Sequence, residues 1–429
     1  MLASELKKAF EDGQFDQMLK DLYLDESQLD WQKERYANAC AKFIELYGDK
    51  PAGVFTAAGR SEVSGNHTDH QHGRVLAASI NLDSIAIAAP KEGEISVVSD
   101  SYNIAPVSLD QLEPNEAEFG TSEGLIRGVA ADLKAKGAKV DGFEAYITSN
   151  VLAGAGLSSS ASFEVLIGTI LSGLYNNEEI DMVEIAKSGQ KAENVFFGKP
   201  CGLMDQCACA VGGLITIDFK DPSAPDVRHV DTDFSKYNSS LAIIDTKGSH
   251  ADLTDEYAAV PAEMKNTAKF FGKEVLREVD PAEALAKISE VREACGDRAV
   301  LRMIHFFNEN DRVPEIVAAL ENDDYAAFCQ GILESGNSSY KFLQNVYASG
   351  EKENQAVSVG LAAAENLLKG GKGVSRVHGG GFAGTIQAFV DNEAVEDFKN
   401  GMDAVFGEGS CHILKIRPVG GAQLIDIEA

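Results

Sequence analysis

A glycine- and serine-rich turn between a strand and a helix constrains this chain more than any other feature. Residues 150–163 read NVLAGAGLSSSASF. The run before it, residues 143–148 (FEAYIT), alternates as a strand does, and the apolar residues of 161–175 recur at helical spacing. Such a turn leaves bare backbone N–H groups at the N-terminus of the following helix, where the helix dipole is positive. Ser158, Ser159 and Ser160 add hydroxyl donors, so the stretch is suited to phosphate groups. It lacks the GK[ST] ending of a Walker loop, and any phosphate here is held without that lysine. Taken alone, the same residues also make an ordinary serine N-cap after a loop.

Charge narrows the partners. The 429 residues carry 38 Lys and Arg against 67 Asp and Glu, a formal charge of −29. That field argues against nucleic acid or an anionic membrane as partner. An anionic nucleotide would need local compensation from helix termini, a divalent cation and a few placed arginines or lysines. No uninterrupted apolar run is long enough for a membrane span, and MLASELKKAFEDG has no apolar signal core, so a cytoplasmic protein is expected. Seven scattered cysteines do not suggest a disulfide framework, and the spacing of Cys201, Cys207 and Cys209 is not a common zinc pattern.

In chain order, residues 1–49 read as a helical arm with Leu29, Tyr36, Cys40, Phe43 and Tyr47 on one stripe. Strands are expected at VFTAAG, VLAASI, SIAIAAP and EISVVSD, then a helix over 121–136 and the FEAYIT strand. Residues 182–197 read as one amphipathic helix, followed by the loop GKPCGLMDQ. GGLITIDF and SLAIIDT read as strands, 252–368 as mostly helical, and the end returns to strands around VSRVHGGGFAGTIQAFV. The class is mixed α and β, with two lobes meeting near 200–240.

Between the first strands, GRSEVSGNHTDHQHGR (59–74) gathers Arg60, Glu62, Asn66, His67, Asp69, His70 and His72. A metal site, polyol recognition by paired hydrogen bonds and a plain polar turn all fit this composition. Asp205, in the loop after Gly198, is a carboxylate of the kind that serves as base for a hydroxyl nucleophile when a cation such as Arg60 stands beside it. Glu193 lies twelve positions upstream.

These segments together resemble a known family. GRSEVSGNHTDHQHG is similar to the sugar-binding signature of galactokinases, and AGAGLSSSAS to the phosphate loop of the GHMP kinase superfamily that contains them. QKAENVFFGKPCGLMDQ resembles the galactokinase segment with the metal-binding glutamate and catalytic aspartate, and HGGGFAGT the third superfamily motif. All four stand in the family's order between residues 59 and 385. The resemblance implies an α+β fold of two lobes: an N-terminal α/β lobe like ribosomal protein S5 domain 2 (50–220) and a ferredoxin-like C-terminal lobe (221–429), behind a helical extension (1–49). It implies ATP and Mg²⁺, a small-molecule sugar, and transfer of the γ-phosphoryl group of ATP to the anomeric hydroxyl of galactose; a monomer is expected. Asp205 would be the base and Arg60 the cation holding it ionised. Asn66, His67, Asp69, Gly202 and Tyr257 would line the sugar. Gly154, Ala155, Gly156, Leu157, Ser158, Ser159, Ser160 and Ala161 would wrap the phosphates, with Ser160 and Glu193 near Mg²⁺ and HGGGFAG closing against the phosphate loop.

The chain departs from the family where GRVNLIGEHTDYNGG is usual. The glutamate implied to meet the sugar's terminal hydroxymethyl group is here Asn66, which both donates and accepts and repels a carboxylate far less. His70 and Gln71 replace tyrosine and asparagine, and AAVPAEM follows Tyr257 where paired arginines are frequent. Galacturonate, L-arabinose and N-acetylgalactosamine are therefore alternative substrates. A sugar- and ATP-binding regulator without turnover is the alternative from another class, and the intact set Ser158 to Ala161, Glu193, Arg60 and Asp205 speaks for an enzyme.

Overall fold

The computed structural model describes residues 1–100, 104–152, 156–248 and 253–427; Gly154 and Ala155 of the expected phosphate loop lie outside them. β1 (Gly53–Ser64), β2 (Arg74–Pro90), β3 (Glu94–Ser99), β4 (Val107–Ser108), β5 (Phe143–Ser149), β6 (Leu214–Asp218) and β7 (Asp226–His229) build a first sheet. β8 (Ser239–Asp245), β9 (Gly373–Val377), β10 (Thr385–Asp391) and β11 (Cys411–Leu414) build a second, and β12 (Ala422–Ile425) returns to the first. The first runs β12-β1-β2-β5-β3-β4, with β6 on β2 and β7 on β6; the second runs β11-β8-β10-β9. That second order, 4-1-3-2 in chain sequence, belongs to a β-α-β-β-α-β unit.

Helices cover both faces of the first sheet. On one side lie α1 (Ala3–Glu11), α2 (Asp16–Tyr23) and α3 (Leu29–Tyr47). Tyr36, Cys40 and Phe43 are fully buried there against Val54, Ile85 and Ile87. On the other side lie α4 (Ser122–Ala135), α5 (Ser159–Asn176), α6 (Met182–Lys191) and α7 (Met204–Val211), which share a core with Phe55, Ala86, Ala88 and Ile147. Alternate residues of each central strand point to opposite helical layers, which is why so many positions of β1 and β2 are apolar. The chain between the sheets' strands adds α8 (Thr254–Phe270), α9 (Pro281–Ala286), α10 (Ile288–Cys295), α11 (Asp297–Glu321), α12 (Tyr325–Ser338) and α13 (Ala356–Leu367), and α14 (Val395–Phe406) follows β10. On β8, Leu241 and Ile243 join a core with α11, α12 and the first-sheet residues Val63, Leu76 and Ile80, while Ala242 and Ile244 face α13 and α14. This shared core welds the two sheets, and the polar signature sits on its rim.

Three expectations change. VLAASI and SIAIAAP form one seventeen-residue strand, β2, whose register against β1 shifts between Ala58 and Gly59. Its first half pairs with β6 and its second with β5, so one strand serves two neighbours in succession. The helix expected over 182–197 ends at Lys191 and continues as a π turn, Ala192–Phe196. The division at 220 is broken, because β7 pairs with β6 and β12 with β1, Val54 opposite Ile425. The arm of residues 1–49 packs on the main body, as expected. Asp83 on β2 is wholly buried and ion-paired with Arg35 on α3 and with Arg417, each at 2.6 Å, and Tyr23 and Thr56 donate to it at 2.7 and 2.6 Å.

Candidate active site

β1 delivers Arg60 and the first turn of α7 delivers Asp205. Arg60 Nε donates to Asp205 Oδ1 at 2.8 Å and Nη2 to Oδ2 at 2.7 Å, a bidentate pair. Its third nitrogen donates to the Gly156 carbonyl, and the Ser158 hydroxyl donates to Asp205 Oδ2. Ser158 has φ 58°, a left-handed turn that starts α5 at Ser159. Asp205, Arg60, Gly156 and Ser158 are thus one bonded unit, although 145 residues separate Arg60 from Asp205. Burial pushes the Asp205 carboxyl up, but the Arg60 charge, its hydrogen bonds and the Ser158 hydroxyl outweigh it and hold the group below the ordinary carboxylate value. Its side chain stays 33% exposed, against 8% for Arg60, so the carboxylate is open to solvent and the guanidinium is not.

The π turn aims Glu193 inward, where only 5% of its side chain is exposed. One extra residue per turn rotates the carboxylate off the surface stripe of α6 onto the α5 and α7 side. Gln206, next to Asp205, donates from Nε2 to Glu193 Oε2 at 3.1 Å and to Glu164 Oε2 at 3.0 Å. Burial, reinforced by the Glu193 charge, pushes the Glu164 carboxyl well above its ordinary value. Ser160 stands one turn before Glu164 on α5. Among the described residues, no group of three or more His, Cys, Asp or Glu is arranged to hold a metal. Hard oxygen donors are nevertheless at hand: the Glu193 carboxylate, the Ser160 hydroxyl, and buried Oε1 atoms of Glu164 and Gln206 without a protein partner. That set fits Mg²⁺, which takes one or two carboxylates and draws its remaining ligands from water and phosphates.

The expected sugar ligands behave differently from one another. Asn66 is fully buried. Its Nδ2 donates to Glu62 Oε1 at 2.9 Å and to the Gly379 carbonyl at 2.7 Å, while Oδ1 accepts from Asn345 Nδ2 at 2.8 Å and Ser339 Oγ at 3.2 Å. Two donors and two acceptors are the whole capacity of an amide, so the hydrogen-bonding capacity of Asn66 is met within the protein. His67 Nε2 donates to the Gly380 carbonyl at 3.0 Å and Tyr257 to the Gly381 carbonyl at 2.9 Å. Three successive carbonyls of the HGGG turn are therefore held by three of the residues expected at the sugar. Gly381 has φ 78°, and a Cβ there would lie 2.0 Å from the Asn345 carbonyl, so no other residue closes this turn. The same segment faces the phosphate loop: a Cβ on Gly156 would come within 3.4 Å of Thr385 Oγ1 and 3.6 Å of His378 Nδ1. Asp69 and Gly202 do meet, since a Cβ on Gly202 would lie 2.5 Å from Asp69 Oδ2.

Several supports were not singled out from the sequence. Glu309 on α11 accepts from Ser64 Oγ and Gly65 N, each at 3.0 Å, and His305 donates to the Asn66 carbonyl at 2.8 Å. Arg376 donates to the Val63 carbonyl at 2.7 Å and pairs with Glu62 at 3.1 Å. The available signal for Arg376 was a lone arginine in the short strand run GVSRV; Glu309, within NENDR, carried none.

Comparison with known proteins follows this geometry. Residues 124–213 match the GHMP kinases N-terminal domain and residues 41–90 the galactokinase galactose-binding signature. A galactokinase of Streptomyces coelicolor is 29% identical over 393 residues, covering 89% of this chain and 96% of its own. One from Actinobacillus pleuropneumoniae is 29% identical over 371 residues, covering 84% and 91%. The structure of Lactococcus lactis galactokinase complexed with galactose superposes with a TM-score of 0.75 at 25% identity, over 89% of this chain and 98% of that one. Methanococcus jannaschii mevalonate kinase, 16% identical with a TM-score of 0.59, shares the fold over 85% of this chain and 98% of its own. The fold is that of the GHMP kinases. Within that superfamily the chain is similar to galactokinases over most of its length and carries their galactose-binding signature.

Proposed function

We propose that the chain transfers the γ-phosphoryl group of ATP to the anomeric hydroxyl of D-galactose, giving galactose 1-phosphate and ADP. The observation that carries this reading is the bonded unit of Asp205, Arg60 and Ser158 at the start of α5. Phosphoryl transfer asks a protein for positioning and charge stabilisation more than for covalent chemistry. Asp205, kept ionised by Arg60, orients the anomeric hydroxyl and accepts its proton as the oxygen bonds to phosphorus. The α5 N-terminus, with Ser158 and Ser159, faces the phosphates. Asp69, whose carboxylate stands beside Gly202, would accept from a sugar hydroxyl. Glu193 and Ser160 would hold Mg²⁺, which neutralises phosphate charge when bound.

A second reading keeps the reaction and changes the sugar to galacturonate, L-arabinose or N-acetylgalactosamine. The saturated amide of Asn66 favours it, because that side chain contributes no contact that demands a hydroxymethyl group. ATP consumption with Mg²⁺ against these sugars and glucose, with the phosphorylated carbon identified by NMR, separates the readings. Preference for galactose with phosphate on C1 supports the first. Inert galactose beside another active sugar replaces the substrate. Sugar binding without any turnover removes the enzyme reading.

A further inference from the structure

Beside the buried carboxylate of Glu193 stands one cation that nothing above uses. Lys199 lies in the loop between the π turn and α7, and its backbone N–H donates to the Glu193 carbonyl at 3.0 Å. Its ammonium is 3.3 Å from Glu193 Oε1 with 66% of the side chain exposed, while Glu193 is 5% exposed. The pair has an inside and an outside partner: the carboxylate is fixed and the ammonium is free to swing. The loop is otherwise pinned, since Cys201 N–H donates to Asn194 Oδ1 at 2.6 Å. The neighbouring lysines are committed to other carboxylates. Lys187 pairs with Glu184 at 2.8 Å, Lys191 with Asp132 at 2.7 Å, and Lys136 with both acids at 3.0 Å or less. Arg60 is spent on Asp205 and Gly156. The charge of Lys199 is felt at Asp205 and Glu164 as well as at Glu193, so its ammonium stands within electrostatic reach of the whole acid cluster.

We propose that Lys199 is a phosphate-binding residue of the nucleotide subsite, its ammonium leaving Glu193 to contact the terminal phosphate oxygens of bound ATP. The inference rests on the kinase reading and adds a residue to it. The Lys199 ammonium is largely in water, and Glu193 keeps the Gln206 donor when the ammonium leaves, which lowers the cost of its transfer to a polyanion. A chain of charge −29 also needs each positive group it can place near a nucleotide. Glu193, once shared with a divalent cation, no longer holds the ammonium alone.

The test compares the wild-type chain with K199M and K199R. Calorimetry measures ATP binding in EDTA, without divalent cation, and steady-state kinetics give KM for MgATP and for sugar. In K199M, metal-free ATP binding weakens and KM for MgATP rises about tenfold, the loss of one charge-assisted contact. KM for sugar and the melting temperature stay close to wild type, and K199R keeps most of the nucleotide affinity. Unchanged nucleotide affinity in K199M overturns the proposal. So does an equal rise in both KM values with a lower melting temperature, which marks Lys199 as a loop anchor. A wild-type chain that binds no ATP and phosphorylates no sugar overturns the kinase reading together with this one; turnover in wild type with unchanged K199M overturns this one alone.

Discussion

Asn66 Nδ2 donates to the Gly379 carbonyl at 2.7 Å, joining two segments 313 residues apart. With the bonds of His67 and Tyr257 to the next two carbonyls, it makes the sugar signature and the third glycine cluster a single surface. Asn66→Asp keeps the shape and removes both donors, turning a carboxylate toward Glu62 and the Gly379 carbonyl. Two buried acceptors lose their partner, and the cost is about 3 kcal/mol. Thermal unfolding should show the loss, and KM for ATP should rise along with KM for sugar because this segment touches the 59–74 loop and lies beside Gly156.

Gly202→Ala probes the opposite case, a local contact. The added Cβ lands 2.5 Å from Asp69 Oδ2, the end of a side chain that can turn aside. Stability should hold, while displacement of that carboxylate raises KM for sugar by about tenfold, one lost hydrogen bond to a charged group. KM for ATP should not follow. Steady-state kinetics with each substrate varied in turn check the split.

The helical arm should be inseparable from the rest. Asp83→Asn leaves the guanidiniums of Arg35 and Arg417 buried without their counter-charge, and breaking such a pair costs about 3–5 kcal/mol. Urea unfolding should show a lower midpoint, and a chain cut before residue 50 should not stay in solution, since it bares Val54, Ile85 and Ile87.

His305 gives the fold an acid sensitivity. Burial pushes its imidazole down to about 4 from an ordinary 6.5, so the folded protein holds it neutral where the unfolded chain binds a proton. Stability from this group is complete above pH 6.5 and is lost as pH falls toward 4, about 3 kcal/mol in all. Glu309 extends the window. Burial pushes its carboxyl up, but the charges of His305, Arg312 and Arg376 and the Ser335 hydroxyl bring it to about 2, and its contribution disappears between pH 4.5 and 2. His305→Gln should flatten the fall between pH 6.5 and 4 by about one proton, measured from urea midpoints across pH.

Much of this was legible in the sequence because it is local. The glycine–serine turn, the alternation of FEAYIT and the order of the four motifs gave the class and brought Arg60, Ser158, Asp205 and Glu193 into one site. What escaped was long-range. Nothing within ten residues of Asn66 signals that Gly379, Asn345 and Ser339 will consume its amide. The merging of two expected strands into β2 follows from β6 and β5 pairing with it in succession. The return of β12 to β1 depends on an edge left open by the other strands. The π turn is a one-residue slip that helical periodicity does not resolve.

The central claim is that Asp205 is the base of a sugar kinase. The most direct measurement is turnover by Asp205→Asn together with its equilibrium binding of sugar and ATP. The account predicts that both ligands still bind and that kcat falls by about 10²–10⁴, the range of a lost general base. A variant that turns over as fast as wild type would contradict it.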